Sequence, residues 1–315
     1  ACMEPLSKKT LRGNWATVML PIDPDESIDW QRLEEEIDAL IEAHPSGIYT
    51  NGTAGEFSAQ SEDEFVRINR LVAERCGRAG IPFQIGASHP APTVCRRRIE
   101  LTKELSPGAF QIVLPDWYPP SDREIDRFLD RMIETANPIP LVIYNPPHAK
   151  RVLTPDDYSR ITEGFDRVIG IKTGAGDDRW YEKMKPLMNR LCVFVPGHTL
   201  ASGIERGALG SYSNVAALSP AGAQRWYELM LSDLEEALEV ERSIRRFIET
   251  HIRPFITESR YGAPAVDKLL SAVGGWAPVG TRLRWPYASI PEETVPDLRR
   301  AARKLLPEFF GIPAP

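Results

Sequence analysis

The chain has 315 residues, 42% of them hydrophobic and 26% charged, with a formal net charge of −6. That length suits one large α/β barrel or two ordinary domains, and a sequence pI near 5.6 leaves no basic footprint for nucleic acid. No apolar run reaches the length of a membrane span, and acids and bases interleave without a charged tail or membrane patch.

In chain order, a β-rich run at residues 15–20 is stopped by Pro21, and residues 28–43 carry a helical period behind Asp29, a predicted N-cap. A second strand at 47–50 leads into Asn51-Gly52-Thr53-Ala54-Gly55-Glu56. Ser61 and Glu64 form a capping-box pattern that opens the helix continued by 65–76. Strands are expected at 82–86, 109–114 and 140–145, with helices at 92–105 and 122–136. Thr154-Pro155 starts the next helix, Pro155 lying in its first turn. Residues 168–171 form a short buried strand that delivers Lys172, and residues 191–195 and 208–213 complete eight strands. Eight apolar strands, most followed by a helix, predict a (β/α)8 TIM barrel over residues 11–220. An open doubly wound sheet is disfavoured, because the first strand-to-helix turn carries no GxGxxG. From 221 to 315 the pattern is helical, with one long amphipathic helix at 223–248 and shorter ones at 251–256, 263–272 and 295–310, a C-terminal subdomain packed on the barrel.

Cys2, Cys76, Cys95 and Cys192 show no CxxC spacing. They read as free thiols of a reducing compartment, not as zinc ligands or a disulfide framework. Residues 1–9 lack a signal-peptide core, so a cytoplasmic location is expected.

Reacting groups of such barrels gather at the C-terminal strand ends. Lys172 ends strand six, and an ammonium is costly to bury, so in a dry lumen its pKa falls and the amine becomes a nucleophile. Tyr144 ends strand five, where a phenol beside a lysine shuttles protons for imine chemistry. The glycines around Thr53 permit close backbone approach, and consecutive amides there suit a carboxylate. Glu56 fits a structural ion pair better than a catalytic role. His148, His89 and His198 fall after strands five, three and seven, at the rim of the mouth.

Gly52-Thr53-Ala54-Gly55-Glu56, Tyr144-Asn145-x-Pro147 and Gly170-Ile171-Lys172, in that order, resemble the motifs of the dihydrodipicolinate synthase / N-acetylneuraminate lyase superfamily. The resemblance runs from about residue 11 to residue 312. It implies a class I, Schiff-base-forming lyase acting on pyruvate or another 2-keto acid, with no metal and no organic cofactor. It further implies that Lys172 forms the imine, Tyr144 relays protons, Thr53 hydrogen-bonds that tyrosine, and Tyr118 reaches a neighbouring subunit's site. By the same resemblance Gly210 and Tyr212 line the keto-acid pocket through backbone groups, and Ala54 offers its amide to the carboxylate; Gly52, His148 and Trp117, placed at strand ends, are further candidate substrate-binding residues. A homodimer or homotetramer is expected.

The departures bear on the subfamily. Ala54 replaces a second threonine found in many members, leaving only its backbone amide to bind carboxylate. Where dihydrodipicolinate synthases place an arginine clamp for the second substrate, this chain has Ala149, flanked by His148 and Lys150, with Arg151 next. Residues 116–119 and 145–150 look like the hydratase-aldolases that release pyruvate from aromatic substrates, and Gly55-Glu56-Phe57 like the aldolases and dehydratases of keto-deoxy sugar acids. The leading expectation is reversible aldol cleavage or condensation of a 2-keto acid with an aldehyde. The alternatives are dehydration of a keto-deoxy sugar acid, a dihydrodipicolinate synthase-type condensation made doubtful by the missing clamp, and a non-catalytic 2-keto-acid sensor.

Overall fold

A computed structural model describes residues 3–311. Cys2, one of the expected free thiols, and the last four residues of the expected C-terminal subdomain lie outside them. Eight parallel strands close on themselves in sequence order, β8 returning to β1. They are β1 (Gly13–Thr17), β2 (Gly47–Thr50), β3 (Phe83–Gly86), β4 (Phe110–Ile112), β5 (Leu141–Asn145), β6 (Val168–Thr173), β7 (Cys192–Phe194) and β8 (Gly210–Tyr212). Between them run α1 (Trp30–Glu42), α2 (Glu62–Ala79), α3 (Pro92–Thr102), α4 (Asp122–Ala136), α5 (Pro155–Gly164), α6 (Asp178–Met184) and α7 (Leu200–Glu205). The expected (β/α)8 barrel is therefore present. Ser61, Ser121 and Thr154 open α2, α4 and α5 with reciprocal capping boxes to Glu64, Glu124 and Asp157, which satisfy amides the helices leave free.

After β8 come α8 (Asn214–Leu218), α9 (Pro220–Ser232), α10 (Leu234–Phe247), α11 (Arg253–Thr257), α12 (Ala263–Gly274) and α13 (Val295–Leu305). The single long helix expected over 223–248 is thus two helices. Asp233 separates them: its amide caps the end of α9 through Leu229 O, and its carboxylate accepts from Glu236 N at the start of α10. An aspartate that satisfies its own local backbone competes with helix continuation, which apolar periodicity does not register. The α9 indole of Trp226 then donates to Ala237 O of α10 and fixes the corner.

Two apolar clusters divide the molecule. The larger lies between strands and helices, and the smaller fills the barrel with Leu11, Trp15, Tyr49, Val142, Ile169, Phe194 and Tyr212 among others. Cys76, Cys95 and Cys192 are buried free thiols. Among the described residues no helix is long and apolar enough to cross a membrane, and no cluster of metal-ligating side chains occurs.

Candidate active site

Strand β6 aims Lys172 by a local irregularity. Its register against β5 slips, with Leu141 opposite Val168 but Val142 opposite Gly170, so β6 carries one extra residue. Val168 faces the outer core and Ile169 the lumen. Strict alternation would then send Lys172 outward. After the slip, Gly170 sits opposite lumen-facing Val142 and Cys192, Ile171 faces out, and Lys172 comes level with Tyr144 and Phe194. A bulge of this kind re-aims a side chain without ending the strand. Glycine at position 170 suits this close packing, since a Cβ there would lie 2.7 Å from Leu11 Cδ2 and 3.1 Å from the Cys192 carbonyl oxygen.

Inside the lumen the Lys172 ammonium lies 4.2 Å from the Tyr144 ring centre, 5.1 Å from that of Tyr49 and 5.5 Å from that of Tyr212. Enclosure among these rings lowers its pKa to about 8, against the opposing pull of the Asp267 carboxylate. The Tyr144 hydroxyl shares a 3.2 Å hydrogen bond with Thr53 Oγ1. Burial raises the Tyr144 pKa, the Thr53 bond lowers it, and the Asp267 charge raises it again.

The turn that carries Thr53 is held from below. Thr50 Oγ1 and Asn51 Nδ2 both donate to Asn69 Oδ1 on α2, and Asn51 and Glu56 adopt left-handed φ values of 53° and 52°. Gly52 packs against Tyr49, and a Cβ there would approach Lys172 Nζ to 3.8 Å. The Thr53 and Ala54 amides find no acceptor among the described residues, so they remain free for an anion. Glu56 pairs with Lys268 at 2.6 Å, in keeping with its expected structural role.

Lys172, Tyr144, Thr53, Ala54, Tyr212 and His148 meet around one cavity of about 350 Å³ at the C-terminal ends of the strands. Tyr212 contributes its ring as a wall, since its hydroxyl donates to Gln84 Oε1 at 2.8 Å. Three expected binding residues do not line the cavity: Gly210, Trp117 and Gly52, which lies behind Tyr49. Gly210 forms the β8–β1 seam, where a Cβ would meet Gly13 O at 2.5 Å, and it does not line the cavity. Trp117 is 90% exposed and Tyr118 79%, both outside the cavity of their own chain. His89 and His198 do not line the cavity either; His89 accepts from Ala91 N, and His198 contacts Asn214.

The two cations considered in place of the missing clamp are also outside. Arg151 is bound to Asp122, Asp157 and Pro120 O, bracing the loops around α4 and α5. Lys150 is exposed. The residue that sequence reasoning missed is Asp267, which α12 presents to the same cavity. Its signal was an acid set among the apolar positions Ala265, Val266, Leu269 and Leu270 of the buried face.

A sequence model described as the Dihydrodipicolinate synthetase family matches residues 10–305. The chain belongs to that family. A 4-hydroxy-tetrahydrodipicolinate synthase of Anaplasma marginale (strain St. Maries) is 26% identical over 263 residues, covering 82% of this chain and 86% of its own. An N-acetylneuraminate lyase of Escherichia coli O1:K1 is 24% identical over 303 residues, covering 95% and 98%. Among solved structures, a prophage protein of the dihydrodipicolinic acid synthase family from E. coli K12, in complex with pyruvate, superposes with a TM-score of 0.81 at 19% identity, covering 94% and 98%. Members of the dihydrodipicolinate synthetase family are lyases, and Schiff-base aldolase chemistry is general among them.

Proposed function

We propose that this protein is a class I lyase that binds pyruvate or a related 2-keto acid as an imine on Lys172 and catalyses reversible aldol cleavage or condensation with an aldehyde. The observation that carries this reading is Lys172 held in the barrel mouth among three tyrosine rings and level with the strand-end Tyr144, where burial lowers its pKa to about 8. Its amine adds to the C2 carbonyl, and the carbonyl oxygen leaves as water with a proton relayed by Tyr144. The resulting iminium draws electrons from C3, which loses a proton and becomes an enamine. The enamine carbon bonds to the aldehyde carbon, whose oxygen takes a proton from the Tyr144–Thr53 pair, and water returns to C2 to free the lysine. The free Thr53 and Ala54 amides suit the keto-acid carboxylate. A relative named as an N-acetylneuraminate lyase and a structural neighbour solved with pyruvate favour the same class. The exposure of Tyr118 fits a role at the site of a second copy in a homodimer or homotetramer.

Borohydride reduction with pyruvate, followed by peptide mass spectrometry, tests the core of the reading. The expected product is a reduced pyruvate adduct on Lys172, together with exchange of the pyruvate methyl protons in deuterated solvent. An adduct without exchange marks a sensor, and no adduct with any of several 2-keto acids refutes the imine.

Two further outcomes follow. Trapping rate should rise with pH to a midpoint near 8 and then level off, because the lowered pKa leaves the amine free above it. A solvated lysine would keep rising toward its ordinary value of 10.5. Thr53→Val should lower kcat by about tenfold, the scale of one hydrogen bond that orients the proton relay. Steady-state kinetics would show this with little change in the denaturation midpoint.

A further inference from the structure

The cavity holds one charge that the imine chemistry does not use. Asp267 enters from α12 into the cavity that Lys172 also lines, and it makes no hydrogen bond and no ion pair within 4.0 Å among the described residues. The other acids near α12 are engaged. Glu56 binds Lys268 and accepts from Arg284 N, and Glu36 accepts from Met19 N. Enclosure raises the Asp267 pKa to about 6, with the Lys172 ammonium pulling it back. Thr173, Ser213 and Asn214 also line the cavity, and no arginine among the described residues does.

At the enamine stage Lys172 has given up its positive charge. The incoming acceptor then meets the bound acid's own carboxylate and Asp267, and no arginine among the described residues lines the cavity to pair with a further carboxylate. A second carboxylate on the acceptor is repelled in this partly desolvated space, whereas a hydroxyl supplies the donor that Asp267 lacks. From this geometry we infer that Asp267 is a specificity-determining residue that accepts a hydrogen bond from an uncharged, hydroxyl-bearing aldehyde and excludes acceptors that carry a carboxylate. The inference rests on the imine reading above and names the acceptor class for the same site.

The test measures kcat/KM of the full chain with pyruvate and four acceptors: glyceraldehyde and erythrose as neutral hydroxyaldehydes, and glyoxylate and succinic semialdehyde as anionic ones. The wild type should favour the neutral pair by about tenfold or more. Asp267→Asn, which keeps shape and removes charge, should reduce that ratio about tenfold, chiefly through acceptor KM. Asp267→Glu, which keeps the charge, should still reject the anionic pair. A wild type that prefers anionic acceptors, or an Asn variant with the wild-type ratio, overturns the inference. Borohydride trapping of pyruvate on the wild type separates the two levels: trapping with an unchanged ratio sinks only the role of Asp267, and absence of trapping sinks the imine itself.

Discussion

Lys172→Met should abolish the borohydride-stable adduct and lower turnover on the order of 10⁶-fold, the scale of removing a covalent nucleophile. Tyr144, Thr53 and the barrel remain in such a variant, so residual activity reports what positioning alone contributes. The same substitution should stabilise the fold. Lys172 lies among three tyrosine rings and forms no ion pair among the described residues. Its folded pKa near 8 lies below the ordinary 10.5. A depressed lysine pKa means that the folded state disfavours the charged form. The resulting cost is fully present below pH 8, fades between the two values and is gone above the upper one. Methionine fills a similar volume without charge, so the gain should be on the order of 1–3 kcal/mol at pH 7 and vanish in strong alkali. Denaturant midpoints measured at pH 7 and pH 10 would check both the size and the direction. A dead variant that is also less stable at pH 7 would mean that the amine is not desolvated.

The parts of this site that a linear reading could find are those at strand ends. Tyr144 and Lys172 each follow an apolar run, and adjacent parallel strands bring such ends level, so their pairing follows once a barrel is inferred. The direction of Lys172 was not legible, because it depends on a one-residue slip against β5 that leaves the apolar pattern of Val168 to Ile171 unchanged. Glu56 could be assigned a structural role from its type and place, but its partner lies 212 positions later, on a helix that local periodicity assigns only to a C-terminal extension. Asp267 was hidden for the same reason, since no periodic signal says that α12 returns over the barrel mouth. Gly210 illustrates the opposite error: a glycine in the expected strand was read as pocket lining, whereas the seam with Gly13 accounts for its lack of a side chain.

Lys268→Met should cost about 3–5 kcal/mol of stability, because it leaves the Glu56 carboxylate buried and unpaired. The Lys268 and Glu56 side chains are 0% and 3% exposed and lie 2.6 Å apart. Lys268 also donates to Arg282 O, while burial lowers its pKa against the pull of Glu56 and Glu36. The pair joins the turn carrying Thr53 to the helix carrying Asp267, so two sides of the cavity are tied by one contact. Lys268 is the residue after Asp267 on α12, roughly 100° around the helix, so pinning one of them sets where the other points. The lysine variant should therefore lose acceptor discrimination as well as stability. Adding Glu56→Gln should recover much of the stability, since an amide is far cheaper to bury than an unpaired carboxylate. It should not restore discrimination, because the tether is still missing. A double-mutant cycle in denaturant, read beside the neutral-to-anionic acceptor ratio, distinguishes these effects. Additive stability losses would show that the pair does not hold the mouth together, and a wild-type ratio in the double variant would show that α12 keeps Asp267 in place without it.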